Sequence, residues 1–91
     1  MIVKGWKGSC DGVRLYLADR DRYCQPGWRV VEVEVGAEGG TIPLWPSFWR
    51  DCPELRGGIV QDLLRRERLT SLPPQFELTP LGGRRFRLTC L

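Results

Sequence analysis

The sequence predicts a small α+β domain: an antiparallel sheet of about five to six strands, with one main helix between strand 41–45 and a C-terminal β-hairpin. Three observations carry this. Short runs of alternating apolar and polar residues recur between glycine-rich turns, as in half-buried strands. One stretch, 52–69, instead repeats its apolar residues at helical spacing. Two further alternating runs flank Gly82-Gly83 near the C-terminus. Ninety-one residues suit a single domain, 1–91, which buries roughly 60–65% of its unfolded surface and so holds one modest core.

Ile2–Trp6 reads as a short strand, closed by the turn composition Gly8-Ser9-Cys10-Asp11-Gly12. Val13–Ala18 alternates next, with Val13, Leu15 and Leu17 on one face and Arg14 and Tyr16 on the other. Val31, Val33 and Val35 mark the inward face of a following strand, opposite Glu32 and Glu34. Pairing Val13 with Val35 unites the apolar faces and sets Arg14 across from Glu34. The connection, residues 19–27, reads as a long loop with a Pro26-Gly27 turn. Asp19 and Asp21 there offer oxygen ligands, but the loop lacks the further ligands of a calcium motif. Gly36-Ala37-Glu38-Gly39-Gly40 is a flexible turn into a strand at Thr41–Trp45, and Pro43, lacking an N–H, places that strand at a sheet edge.

The helix is expected to start at Asp51 as N-cap, with Pro53 in the first turn and Glu54 reaching back. Leu55, Ile59, Val60, Leu63 and Leu64 share one face; Arg56, Asp62, Arg65, Arg66 and Arg68 take the other. Gly57-Gly58 weakens the first turns by ~1 kcal/mol per glycine, which leaves Ile59–Leu69 as the secure part. Pro73-Pro74 ends it. In the final hairpin, Gln75–Thr79 and Arg85–Leu91 are joined by Leu81-Gly82-Gly83, opposing Phe76 to Leu88, Leu78 to Phe86 and Glu77 to Arg87.

Composition narrows the chemistry. The chain has no histidine, which removes Ser-His-Asp and Cys-His nucleophile systems and histidine-rich metal sites. Its four cysteines, Cys10, Cys24, Cys52 and Cys90, form no close pair, so no zinc site is expected. Cys90 alternates with Phe86 and Leu88 and reads as core. No phosphate-binding glycine motif occurs, and no cofactor is expected. The net charge of +3 is spread along the chain, since both halves carry a small excess of basic residues. The N-terminus lacks an apolar signal-peptide core and no run is long enough to span a bilayer, so a cytoplasmic location is expected.

Two segments carry candidate function. Trp45, Phe48, Trp49 and Arg50 fall within six residues and match the side chains enriched at interface hot spots; large rings also serve a small core. The second is an arginine surface from Arg65, Arg66 and Arg68 on the helix with Arg84, Arg85 and Arg87 on the hairpin. A helix followed by a basic hairpin with Leu78-Thr79-Pro80-Leu81-Gly82 resembles the recognition helix and wing of winged-helix DNA-binding proteins, and the resemblance implies nucleic-acid binding through those arginines. It covers under half of the chain: β-rich sequence stands where two further helices precede the recognition helix in that family. Asp62, Glu67 and Glu77 neutralise part of this surface. Cys10, beside Asp11 in a glycine-flanked turn, is the one thiol in an exposed context, but it lacks a histidine partner. The sequence thus points to a non-enzymatic binding module for a protein partner (an inhibitor, adaptor or assembly subunit), ahead of a nucleic-acid-binding domain and a thiol-dependent enzyme. The 41–45 edge could pair between two copies, which leaves a homodimer open.

Overall fold

Alternating runs do become strands, and there are more of them than the pattern showed. The computed structural model describes residues 1–6, 12–67 and 75–91, excepting the side chains of Trp6 and Glu67. In chain order these are β1 (Ile2–Trp6), β2 (Gly12–Arg14), α1 (Leu17–Tyr23), β3 (Val30–Val35), β4 (Glu38–Pro43), a 3₁₀ turn (Pro46–Trp49), β5 (Glu54–Arg56), α2 (Gly58–Glu67), β6 (Gln75–Gly82) and β7 (Arg85–Cys90). The class is α+β, with seven strands in one sheet ordered β4-β3-β7-β6-β1-β2-β5. All pairs are antiparallel except β3 with β7. The sheet is nearly closed. Its edge strands β4 and β5 approach each other, and α2 packs across β2, β3, β4 and β5 at the gap. Val60, Leu63 and Leu64 of α2 meet Val31, Val33, Phe76, Phe86 and Leu88 in one core. Neither helix of the described residues is long and apolar enough to cross a membrane.

Several expectations change. β2 does not pair with β3: Val13 lies opposite Gly5 and Leu55, and Val35 opposite Glu38. Arg14 therefore faces Glu54, at 3.9 Å, rather than Glu34. The nearest apolar alternation in sequence was not the partner, because β7 takes the free side of β3 in parallel. The strand beginning at Val13 stops at Arg14, and residues 17–23 of the expected strand and loop form α1. That helix buries no residue of its own and depends on tertiary bonds described below.

The main helix also starts late. Glu54–Arg56 extends the sheet as β5, and Gly57 and Gly58, at φ +86° and +49°, turn the chain into α2. Only glycine adopts such angles freely, so the pair separates a strand from a helix. Asp51 caps nothing. β5 can dock because Gly12 of β2 has no side chain: a Cβ there would lie 2.6 Å from the Leu55 carbonyl oxygen.

The β4 edge position holds, although β4 begins at Glu38 after the two-residue turn Gly36-Ala37, with Gly36 at φ +61°. The C-terminal hairpin forms with a register shifted by two, Leu78 facing Leu88 and Glu77 facing Thr89. A bulge between Pro80 and Gly82 absorbs the extra length. An even shift keeps each side chain on its face, so Phe76, Leu78, Phe86 and Leu88 stay buried as expected. Cys90 does not join them. It is the last residue of β7, opposite Phe76, and is exposed.

Candidate functional site

The segment 45–50 folds as a single 3₁₀ turn with Pro46 at its start, where a missing N–H costs nothing. The turn closes through Phe48 N–H donating to the Trp45 carbonyl at 2.9 Å and Arg50 N–H donating to Ser47 at 3.1 Å. Phe48 points inward and is 1% exposed, which removes it from any contact with a partner. Trp49 meets Phe48 edge to face, centroids 5.0 Å apart, and its indole N–H donates to the Trp28 carbonyl at 3.3 Å. It is half-buried. Arg20 of α1 braces the turn from below. Its Nη1 donates to the carbonyls of Phe48 at 3.0 Å and Arg50 at 2.9 Å, while Nε and Nη2 meet the Asp21 carboxylate at 2.9 Å. Only 11% of the Arg20 side chain is exposed. These bonds hold α1 and the turn together.

Trp45 behaves differently. It is 51% exposed, and it extends the outward row of β4. Ile42 and Leu44 are buried while Thr41, Pro43 and Trp45 are exposed, the period of two expected along a strand. Leu44 N–H donates to Arg29 at 2.8 Å, so the β3–β4 ladder continues one step past Pro43. Val30 lies directly opposite Pro43 and is 37% exposed. Trp45, Pro43 and Val30 therefore form a contiguous apolar strip on the outer face of the sheet. Arg50 is exposed near the turn's end, its backbone held at both N–H and C=O.

Under the turn lies an open cavity of about 370 Å³ lined by Arg20, Asp21, Cys24, Pro26, Gly27 and Trp49. Burial pushes the Cys24 thiol up to about 11, with Arg20 pulling down and Asp21 pushing up more weakly. A thiol at that value is protonated near neutral pH and is a poor nucleophile. Cys52 is raised too, first by burial and then by its hydrogen bond to Glu54. Cys10, the thiol singled out from sequence, lies outside the described residues. Among the described residues no three Cys, Asp or Glu side chains gather as a metal site.

The arginines fall into two groups. Arg65 and Arg66 are exposed on α2, which packs on the core side of the sheet; Arg68 lies outside the described residues. Arg85 and Arg87 project from the opposite, outer face, since Phe86 and Leu88 between and beside them are buried. There Glu34 takes Arg85 at 2.8 Å and Arg87 at 3.4 Å, and Glu32 takes Arg85 at 3.7 Å. The bond from Arg85 holds the Glu34 carboxyl below its ordinary value, with Arg87 adding to it against desolvation. Arg84 sits exposed in the β6–β7 turn. The helix and hairpin arginines thus occupy different faces rather than one surface.

Val30 and Pro43 were missed from sequence, as was Arg20. The signal for Pro43 was present: in Thr41–Trp45, alternation puts residues 41, 43 and 45 on one side. Val30 needed the β3–β4 register. Compared with models of protein families, with curated proteins and with solved structures, the chain matches none of them.

Proposed function

We propose that this chain is a non-enzymatic protein-binding module whose contact face centres on Trp45. The observation that carries the reading is the exposed apolar strip Trp45–Pro43–Val30, which lies beside the outward Thr41 and Glu32. A single exposed ring is ordinary on a protein surface; an indole in line with two further apolar residues is the kind of anchor that interface hot spots use. The turn bearing it is already fixed by Arg20 and by the Trp49 indole, so little ordering entropy is lost on docking. Arg50 at the turn's end adds a guanidinium of the type enriched at interface rims and anchors. Such a module would act as an inhibitor, adaptor or assembly subunit.

Affinity capture from the native host tests this with three baits: the unaltered chain, Trp45→Ala, and Arg65→Glu combined with Arg66→Glu. The reading expects a stoichiometric protein partner on the first and third baits and its loss on the second. A partner retained equally by Trp45→Ala, or nucleic acid recovered only by baits with intact α2 arginines, contradicts it.

A further inference from the structure

The strip around Trp45 runs into a second feature, a cleft of about 250 Å³ lined by Val30, Val31, Glu32, Arg84 and Arg85. Its origin is the parallel pairing of β3 with β7. Hydrogen bonding alternates along β3. Arg29 accepts from Leu44 on the β4 side, and Glu32 N–H donates to the Arg84 carbonyl on the β7 side. Val30, two residues before Glu32, directs its own N–H and C=O toward the β7 side as well. β7, however, begins at Arg85, opposite Glu32. At Val30 the neighbouring strand has given way to the β6–β7 turn, and the peptide groups face the cleft.

The rim is mostly cationic. Arg84 and Arg85 border the cleft. Glu32 is the acid in the lining, and it lies 3.7 Å from Arg85. Arg84 is exposed and makes no ion pair among the described residues. An outward backbone step, an apolar strip beside it and the unneutralised guanidinium of Arg84 at its rim are complementary to one kind of occupant. We infer that the cleft at the open end of the β3–β7 pair takes an extended, acidic segment of the partner protein, which continues the parallel ladder at Val30, lays an apolar side chain on the Val30–Pro43–Trp45 strip and sets a carboxylate against Arg84. Main-chain bonds would supply affinity and the flanking side chains selectivity, as in strand addition to other sheets. This rests on the protein-binding reading and names the partner's chemistry.

The test uses the full chain and four fluorescein-labelled eight-residue peptides: alternating Leu-Glu, Leu-Ser and Leu-Lys, and a Leu-Glu peptide N-methylated at alternate residues on the strand edge. Anisotropy titrations should show the Leu-Glu peptide binding tightest. N-methylation and Arg84→Glu should each weaken it at least about tenfold, the order of loss for a charge-assisted or main-chain hydrogen bond. Arg65→Glu with Arg66→Glu, which reverses two charges on α2, should leave it unchanged. Any of four results overturns the inference: Leu-Ser or Leu-Lys binding as tightly as Leu-Glu, the N-methylated peptide binding undiminished, or the α2 variant losing as much as Arg84→Glu. The fourth is self-association in sedimentation that Arg84→Glu abolishes, which would put a second copy in the cleft. If these peptides fail while host capture still depends on Trp45, the occupant's chemistry is wrong and the docking face stands.

Discussion

Trp45 and Phe48 occupy the two ends of one 3₁₀ turn, joined by the hydrogen bond from Phe48 N–H to the Trp45 carbonyl. Phe48 is enclosed by the core, and Trp49 beside it has its indole N–H bonded to Trp28. Trp45 instead continues the outward row of an edge strand, next to Pro43 and Val30. Neighbouring rings of similar size therefore have different work: one set supplies apolar burial to a small core, and the other leaves a rigid apolar surface uncovered. Aromatic density in a sequence signals neither role by itself. The direction of the backbone before and after the turn decides.

The largest expected effect separates the two ends by stability. Phe48→Ala should cost about 3–5 kcal/mol, from lost burial and the cavity left behind, whereas Trp45→Ala should stay within about 0.5 kcal/mol; urea denaturation of both variants checks this. Equal losses would mean that Trp45 is structural. Next comes the brace. Arg20→Ala strips charged donors from the Phe48 and Arg50 carbonyls and should cost about 2 kcal/mol. It should also raise hydrogen exchange at Phe48 and Arg50 ahead of the β6–β7 amides. A uniform rise would show that Arg20 does not act locally.

A third effect is a pH dependence in the cavity under the turn. Cys24 titrates near 11 in the fold, above an unfolded thiol, so the fold favours the neutral form. The unfolded chain loses this proton first as pH rises. Stability from this group is thus complete below the ordinary thiol value and is lost between there and about 11. Denaturation midpoints of the unaltered chain should fall more steeply over that window than those of Cys24→Ala. Parallel curves would place Cys24 in water rather than against Trp49.

What was legible in the sequence was mostly what repeats locally. The alternation of Val31 and Val33 with Glu32, the edge position forced by Pro43, and the apolar face of α2 all follow from period and chemistry over a few residues. The faces of the C-terminal hairpin were legible for the same reason, while its register was not, because the bulge at Pro80–Gly82 adds length that the alternation does not record. The pairing of β2 with β5, and of β3 with β7, depends on contacts distant in sequence. β5 itself was hidden because Glu54-Leu55-Arg56 fits a helix start until Gly57 and Gly58 are seen to turn at positive φ. At the candidate site, the segment 45–50 stood out by composition, but its division into inward Phe48 and outward Trp45 came from the fold. The β-strand mate of Pro43, Val30, could be known only once β3 and β4 were in register.

The claim that the outward strip is the contact face can be read directly by ¹⁹F NMR on chain labelled with 5-fluorotryptophan, its four resonances assigned by single Trp→Phe substitutions. Addition of the captured partner should shift or broaden the Trp45 line while the Trp49 line holds its position. A bound complex in which the Trp45 line is unmoved would contradict the account.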